Sequence, residues 1–145
     1  AGYDVLAVLD DFAERRFTKR LVLDMFVSGS APLGGSRAAD EGQFTSRLIV
    51  FRKTHFAFRL LAAWERLARD IALVDESAHR RGWSEGPDFV AHRHEQSLWS
   101  LLLKCSILAR PAPGRSLYAN VSARVLTLVS DVEASALAAF VRDPG

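Results

Sequence analysis

The feature that most constrains the fold is a helical periodicity that begins at Phe56. Six apolar side chains recur there at three- and four-residue steps, Phe56, Leu60, Ala63, Trp64, Leu67 and Ile71. Thr54 stands just ahead of them, and its hydroxyl can accept a hydrogen bond from an unpaired N–H of the first turn. The pattern therefore predicts an amphipathic helix over residues 55–70, which needs an apolar surface to pack against.

Shorter patterns add strands and further helices around that helix. The apolar runs at residues 5–9 and 48–51 predict two buried strands. Residues 19–27, with Thr18 as the cap, and residues 95–108, ended by Pro111, predict two more helices. Residues 28–42 and 76–88 read as loops. Residues 121–129 fit either a strand or a helix, and the alanine-rich residues 133–141 favour a terminal helix. The expected class is α/β and helix-rich.

Composition excludes several classes of function. The 145 residues suit one domain, and 19 basic residues face 17 acidic ones, a mixed balance that does not favour a nucleic-acid partner. The single cysteine, Cys105, cannot form an internal disulfide, and its apolar surroundings favour a buried, inert thiol. There is no apolar run long enough for a transmembrane helix and no signal-peptide pattern, so we expect a cytoplasmic protein. The start without methionine suggests a processed or partial chain.

The densest polar cluster is the sequence His-Arg-His-Glu-Gln-Ser at residues 92–97, hereafter the 92–97 motif. It falls where a loop meets a predicted helix, and unpaired N–H groups at a helix start attract phosphates or hydroxyls. Arg93 can add a bidentate charge, and Glu95 and Gln96 can hydrogen-bond neighbouring hydroxyls. The alternative is that Glu95 and Gln96 only decorate the first helical turn, where acids are favoured by the helix dipole.

Other residues allow metal or stacking chemistry. His92 and His94, with a carboxylate nearby, suit a metal site, although H-x-H alone is a weak signal and no stronger ligand motif accompanies it. The pair at residues 10 and 11 follows a strand and reads either as a metal–diphosphate contact or as a turn. Trp83 lies in a polar loop where an exposed ring can stack on a sugar or base, whereas Trp64 reads as core.

Several of these segments together resemble a known family. The order is Glu14, Phe17-Thr18-Lys19, a strand ending in Phe51-Arg52-Lys53, Trp64, Asp70, Asp75, Phe89 and then the 92–97 motif. It is similar to the C-terminal half of uncharacterised bacterial and viral glycosyltransferase-like proteins of the GT-A nucleotide-diphospho-sugar transferase type. Those proteins carry an aromatic-Thr-Lys motif, a strand ending in Phe-Arg-Lys, and a His-Arg-His-Asp-Gln-Ser motif.

The resemblance implies a partial GT-A-like, Rossmann-like three-layer domain that transfers a sugar from a nucleotide-sugar donor to a glycan or lipid-linked acceptor. It implies Mg²⁺ or Mn²⁺ on the diphosphate, with His92 or His94 facing the metal. Glu95 and Gln96 would be catalytic, and the substrate-binding residues would be Lys19, Trp83, Arg93 and Ser97. Residues 1–110 would form the C-terminal half of the domain, and residues 111–145 an unassigned tail packed on it.

The sequence also departs from the family. It has Glu95 where Asp is more frequent and Phe17 where Trp or Tyr is usual. The family's upstream half, with its Asp-containing metal motif, has no counterpart here, so we expect the isolated chain to be inactive. Two alternatives remain open. One is a non-catalytic carbohydrate-binding module, and the other is an assembly domain whose apolar helices pack on a partner, either another copy or the missing N-terminal half.

Overall fold

The computed structural model describes residues 4–28, 31–34, 37–76, 84–108 and 125–128. The helices and strands follow in the order β1 (Val5–Ala13), α1 (Glu14–Phe17), α2 (Arg20–Val27), β2 (Gly42–Phe51), α3 (His55–Ala68), α4 (Ile71–Val74), α5 (His94–Leu108) and β3 (Val125–Leu128). The chain is therefore a mixture of helices and strands, which confirms the predicted class at that level. Within these residues no helix is long and apolar enough to cross a membrane.

The three strands form one antiparallel sheet in the order β2-β1-β3. Pairing of β1 with β2 is regular from Val5 opposite Phe51 to Ala7 opposite Ile49, and it becomes irregular toward Ala13 opposite Gly42. At that irregular end a Cβ on Gly42 would overlap the carbonyl oxygen of Asp10. Glycine is therefore required where the two backbones approach each other.

The core is built around α5. This helix packs on β2, and α2, α3 and α4 pack on α5. Among the described side chains of the helix, Leu98, Leu101, Leu102 and Leu103 are fully buried. Trp99 contacts the Phe51 ring edge-to-face and the Trp64 ring at a tilt. Polar residues of α5 after Glu95 are buried as well, so the described part of the helix beyond its first turn lacks the polar face of an ordinary surface helix. The start of α5, where the 92–97 motif lies, is held by several elements at once.

Of the two predicted helix caps, one is confirmed and one is wrong. Thr54 caps α3 as predicted, since its side chain accepts from the N–H of Ala57 at 3.2 Å. The prediction that Thr18 caps α2 is wrong. Helix α2 begins one residue later, after Lys19, and the Thr18 hydroxyl donates instead to Glu14 at 2.7 Å. The hydrogen bond that the hydroxyl donates to this buried carboxylate is stronger than the capping bond that it would accept from a helix N–H.

The structure also extends and adds elements. Both β1 and β2 are longer than the apolar runs that predicted them, because their ends carry polar residues. Helix α4 was not predicted; Asp70 caps it by accepting from the N–H of Ala72 at 2.9 Å. Residues 121–129, whose pattern fits either a strand or a helix, contain the strand β3, which pairs with β1. The predicted terminal helix at residues 133–141 lies outside the described residues, and the division at residue 110 stays a prediction.

Candidate functional site

The 92–97 motif enters α5 through an unusual backbone conformation. His94, the first residue of the helix, has φ of 44°, in the left-handed region that residues other than glycine rarely adopt. The N–H of Arg93 bonds the carbonyl of Phe17 at 3.0 Å, and the N–H of Gln96 bonds the carbonyl of Arg93 at 2.9 Å. The motif is therefore anchored to α1 on one side of His94 and to α5 on the other.

His92 is a buried, neutral structural residue. Its Nδ1 accepts from the backbone N–H of Lys19 at 3.2 Å, and its Nε2 lies 2.8 Å from the carbonyl oxygen of Leu73, to which it donates in that tautomer. Burial lowers the pKa of His92 to about 4, and the nearby charges of Lys19 and His94 act in the same direction. Both ring nitrogens are engaged inside the protein, so this arrangement leaves no lone pair on His92 for a metal.

Three consecutive carbonyls at the end of α4 are contacted by side chains of the 92–97 motif and of Lys19. The carbonyl of Leu73 lies 2.8 Å from Nε2 of His92, and the carbonyl of Val74 lies 2.9 Å from Nδ1 of His94. The next carbonyl, that of Asp75, accepts from the ammonium of Lys19. Carbonyls at a helix end have no partner within the helix, and they carry partial negative charge that favours such donors. The arrangement fixes the segment after α4 against the start of α5.

The predicted phosphate ligand Lys19 lies inside this arrangement. Its side chain is 1% exposed. Burial lowers the pKa of Lys19, and the carboxylates of Asp75, Glu85 and Asp70 oppose that shift. Because those three acids surround the ammonium, a phosphate approaching it would meet negative charge. Phosphate binding by Lys19 remains a prediction that this geometry does not favour.

Arg93 is held by aromatic rings and one acid. Its guanidinium carbon lies 4.1 Å from the ring centre of Phe17 and 4.8 Å from that of Phe12. A terminal nitrogen lies 3.5 Å from a carboxylate oxygen of Asp10. Stacking and ion pairing of this kind hold the planar group in one orientation. Arg93 keeps about a quarter of its side chain exposed, so one edge remains accessible.

Gln96 and Ser97, predicted as catalytic and substrate-binding, belong to a buried polar network. The Gln96 amide donates to Gln43 at 2.9 Å, and its oxygen accepts from the N–H of Ser46 at 3.2 Å. The Ser97 hydroxyl donates to the carbonyl of Phe17 at 2.7 Å and accepts from Gln43 at 3.1 Å. These bonds tie α5 to β2 and α1. Neither side chain is directed to solvent in this structure.

The network ends at a buried ion pair. The ammonium of Lys104 lies 2.7 Å from a carboxylate oxygen of Glu14, and Glu14 also accepts from Ser100 at 2.5 Å and Gln43 at 2.9 Å. Both charged side chains are at most 2% exposed. Sequence reasoning missed this pair, although a lysine inside an apolar helical run was a visible signal that it needed a partner.

Glu95 differs from Gln96 and Ser97 because its side chain is exposed. Its backbone carbonyl accepts from the indole N–H of Trp64 at 3.0 Å. The residue lines an open groove of about 530 Å³ along α3, hereafter the Glu95 groove. The other walls are apolar or carboxylate side chains, namely Phe58, Leu61, Ala62, Trp64, Glu65 and Ala68.

The chemistry available in the Glu95 groove is that of a carboxylate beside aromatic surface. Phe58 is 61% exposed, and the Trp64 ring is half-buried against Trp99. Apolar C–H faces pack on such rings, while carboxylate oxygens accept from hydroxyls. An exposed carboxylate can also accept a proton from a bound hydroxyl. Trp83, predicted to stack on a sugar, lies outside the described residues.

The metal prediction gains little from the geometry. No group of three or more His, Cys, Asp or Glu side chains suited to a metal occurs among residues 4–28, 31–34, 37–76, 84–108 and 125–128. His94 is the candidate that fits best, because a donor bond from Nδ1 to a carbonyl directs the Nε2 lone pair away from the protein. Its side chain is exposed.

Comparison of the chain with protein-family models, with curated proteins and with solved structures found no match.

Proposed function

We propose that this chain is part of a glycosyltransferase-like domain of the GT-A type, which transfers a sugar from a nucleotide-sugar donor to a glycan or lipid-linked acceptor. The proposal rests on the order of motifs from Glu14 to the 92–97 motif. One observation carries it further. Glu95, the acid of the motif, is exposed at an aromatic-lined groove, whereas the adjoining Gln96 and Ser97 are buried.

In this proposal the Glu95 carboxylate binds the hydroxyls of a sugar in the Glu95 groove and accepts the proton of the attacking hydroxyl. The rings of Trp64 and Phe58 pack on the C–H face of the sugar. The bond from the Trp64 indole to the Glu95 carbonyl holds the aromatic wall and the acid at a fixed separation. Gln96 has a positioning role instead of a catalytic one, because its buried amide bonds Gln43 and Ser46 of β2.

The proposed Mg²⁺ or Mn²⁺ would neutralise the diphosphate of the donor. Of the two predicted ligands, His94 fits that role and His92 does not, because both nitrogens of His92 are bonded within the protein. We include a cytoplasmic location in the proposal, where a lone cysteine stays reduced.

Thermal shift with UDP- and GDP-sugars, with and without Mn²⁺, tests this function. The matched variants are Glu95→Gln, which keeps the shape of the side chain, and Glu76→Gln, which changes an exposed acid outside the groove. We expect a metal-dependent rise in melting temperature that survives in Glu76→Gln and disappears in Glu95→Gln. Absence of any rise with every nucleotide sugar would rule out autonomous donor binding.

A non-catalytic carbohydrate-binding module is the second candidate. It is favoured by the engagement of Lys19, His92 and Gln96 in bonds that hold the fold together. Such a module would bind free glycans in the Glu95 groove with no dependence on nucleotide or metal. A rise in melting temperature with oligosaccharides alone, again lost in Glu95→Gln, would favour this candidate over the transferase.

A further inference from the structure

A second cavity lies apart from the Glu95 groove, between α2 and the loop that precedes the 92–97 motif. It is half-open, with a volume of about 220 Å³, and we call it the loop-85 cavity. Leu23 and Phe89 supply apolar surface, and Gly86 lies at the edge. The loop is tied down on both sides of the cavity. Glu85 accepts from the N–H of Arg20 at 2.8 Å, and the N–H of Val90 donates to the carbonyl of Arg16 at 2.8 Å.

Charges of both signs line the loop-85 cavity. Two guanidinium groups and three carboxylates contribute, from Arg15, Arg20, Asp24, Glu85 and Asp88. Arg15 is paired with Asp40 and Asp88, the latter at 3.2 Å. Because acids and bases nearly balance, neither an anion nor a cation gains a strong net attraction. A neutral ligand rich in hydroxyls is different, since it both donates to carboxylates and accepts from guanidinium groups.

Arg20 is the donor best placed for such a ligand. Its one side-chain contact among the described residues is a 3.5 Å approach of Nε to Asp24. Its side chain is 56% exposed, and the two terminal nitrogens offer paired donors for neighbouring hydroxyls. One oxygen of Asp24 accepts from Ser28 at 2.8 Å, so that carboxylate is held in place while its other oxygen faces Arg20.

The size of the loop-85 cavity restricts the ligand further. About 220 Å³ is below the roughly 300–1,000 Å³ of sites that take drug-sized molecules. This is the volume that roughly seven water molecules occupy in the liquid. One sugar ring fits that space, and a whole nucleotide sugar does not. The apolar wall formed by Leu23 and Phe89 suits the C–H face of a ring.

We propose that the loop-85 cavity binds a single neutral sugar ring, at a site separate from the Glu95 groove. Arg20 and Asp24 bond its hydroxyls, and Phe89 packs on its apolar face. The cavity would hold one unit of a longer glycan, or a free monosaccharide. This site stands on its own contacts, so it survives if the transferase function is disproved.

Gly86 allows a test by substitution, because a Cβ built on it has no atom of the described residues within 4 Å. Gly86→Trp adds an indole to a residue that lines the loop-85 cavity, and Gly86→Ala is its matched control. The probes are the methyl glycosides of glucose, galactose, mannose and N-acetylglucosamine, followed by saturation-transfer NMR and titration. We expect at least one glycoside to bind the native chain, Gly86→Ala and Glu95→Gln alike.

Binding should be abolished in Gly86→Trp and weakened roughly tenfold in Arg20→Gln, because a charge-assisted hydrogen bond is lost. Arg20→Gln changes an exposed side chain and serves if the tryptophan variant does not fold. Three results would overturn the site: no binding of any glycoside by the native chain, undiminished binding by a folded Gly86→Trp or Arg20→Gln, or displacement of the glycoside by inorganic phosphate. Loss of binding in Glu95→Gln instead would assign the glycoside to the other groove.

Discussion

The Nδ1 atom of His92 accepts a hydrogen bond from the backbone N–H of Lys19 at 3.2 Å. These residues belong to the two motifs that carry the family resemblance, and 73 positions separate them along the chain. On the other side of the ring, the Nε2 atom of His92 is hydrogen-bonded to the Leu73 carbonyl. The ammonium of Lys19 donates to the Asp75 carbonyl. The buried side chains of Lys19 and His92 therefore join the two motifs into one structural unit before any ligand is considered.

A pH-dependent loss of stability follows from this unit. Burial lowers the pKa of His92 to about 4, whereas an unfolded histidine titrates near 6.5. Between those values the unfolded state binds more protons, so the free energy of unfolding falls as pH drops from about 6.5 to about 4. We expect this group to account for about 3 kcal/mol of that loss. Urea unfolding at several pH values, followed by tryptophan fluorescence, measures it.

His92→Gln isolates the effect of the histidine from that of the carboxylates that titrate in the same range. The glutamine cannot gain a proton at position 92. The free energy of unfolding of the variant should therefore fall less steeply as the pH drops, whatever its value at neutral pH. His55→Gln, the same substitution at an exposed position, is the control. Equal slopes for the native chain and His92→Gln would show that His92 is not held neutral by the fold.

The fold was predictable where pattern and burial agree. The α3 periodicity and the Thr54 cap were readable because one face of the helix meets the core and one hydroxyl meets the first turn. Thr18 was assigned to the wrong bond because its true acceptor, Glu14, becomes competitive only when both are buried. Helix α4 could not be predicted because one short turn carries no periodicity. The side chains that bond its last two carbonyls, His92 and His94, are distant in sequence.

The place of the 92–97 motif in the fold was predictable, but the direction of each of its side chains was not. The motif does lie at the start of a long helix, as expected. Whether Glu95 or Gln96 faces solvent depends on where β2 packs on α5, and Gln43 and Ser46 of β2 decide it by binding Gln96. Local sequence carries no information on that contact. The identity of the ligand stays a prediction for the same reason.

The Glu14–Lys104 pair should show strong coupling. Either Glu14→Gln or Lys104→Met alone leaves a buried charge without its partner, and each should destabilise the chain by about 3–5 kcal/mol. The double variant removes both charges and should be much less destabilised than the sum of the two. A double-mutant cycle by urea unfolding measures the coupling. Additive effects would mean that the two groups do not interact in the folded protein.

Neighbouring residues of the motif should respond differently to substitution. Gln96→Ala removes the partner that Gln96 provides to the side-chain oxygen of Gln43 and to the N–H of Ser46, which should cost about 1–3 kcal/mol. Glu95→Gln alters an exposed side chain and should change stability by no more than about 0.5 kcal/mol. Thermal unfolding of the two variants compares them directly. A larger loss for Glu95→Gln than for Gln96→Ala would reverse the assigned roles.

Cys105 should be unreactive in the folded chain. It is 1% exposed, and burial raises the pKa of its thiol to about 12. Since the thiolate is the reactive form, a disulfide reagent such as DTNB should label the protein only after denaturant is added. With one cysteine in the sequence, the absorbance change reports on this thiol alone. Rapid labelling of the native chain would contradict its place in the core.

The indole N–H of Trp64 offers the most direct view of the Glu95 groove, because it bonds the Glu95 carbonyl at 3.0 Å on the groove wall. The chain has three tryptophans, so ¹H–¹⁵N spectra contain three indole signals, and Trp64→Phe identifies this one. Titration with UDP- and GDP-sugars in the presence of Mg²⁺ should shift the Trp64 signal in the native chain and leave it unmoved in Glu95→Gln. An unmoved signal in the native chain at millimolar nucleotide sugar, or the same shift in both proteins, would contradict sugar binding by Glu95.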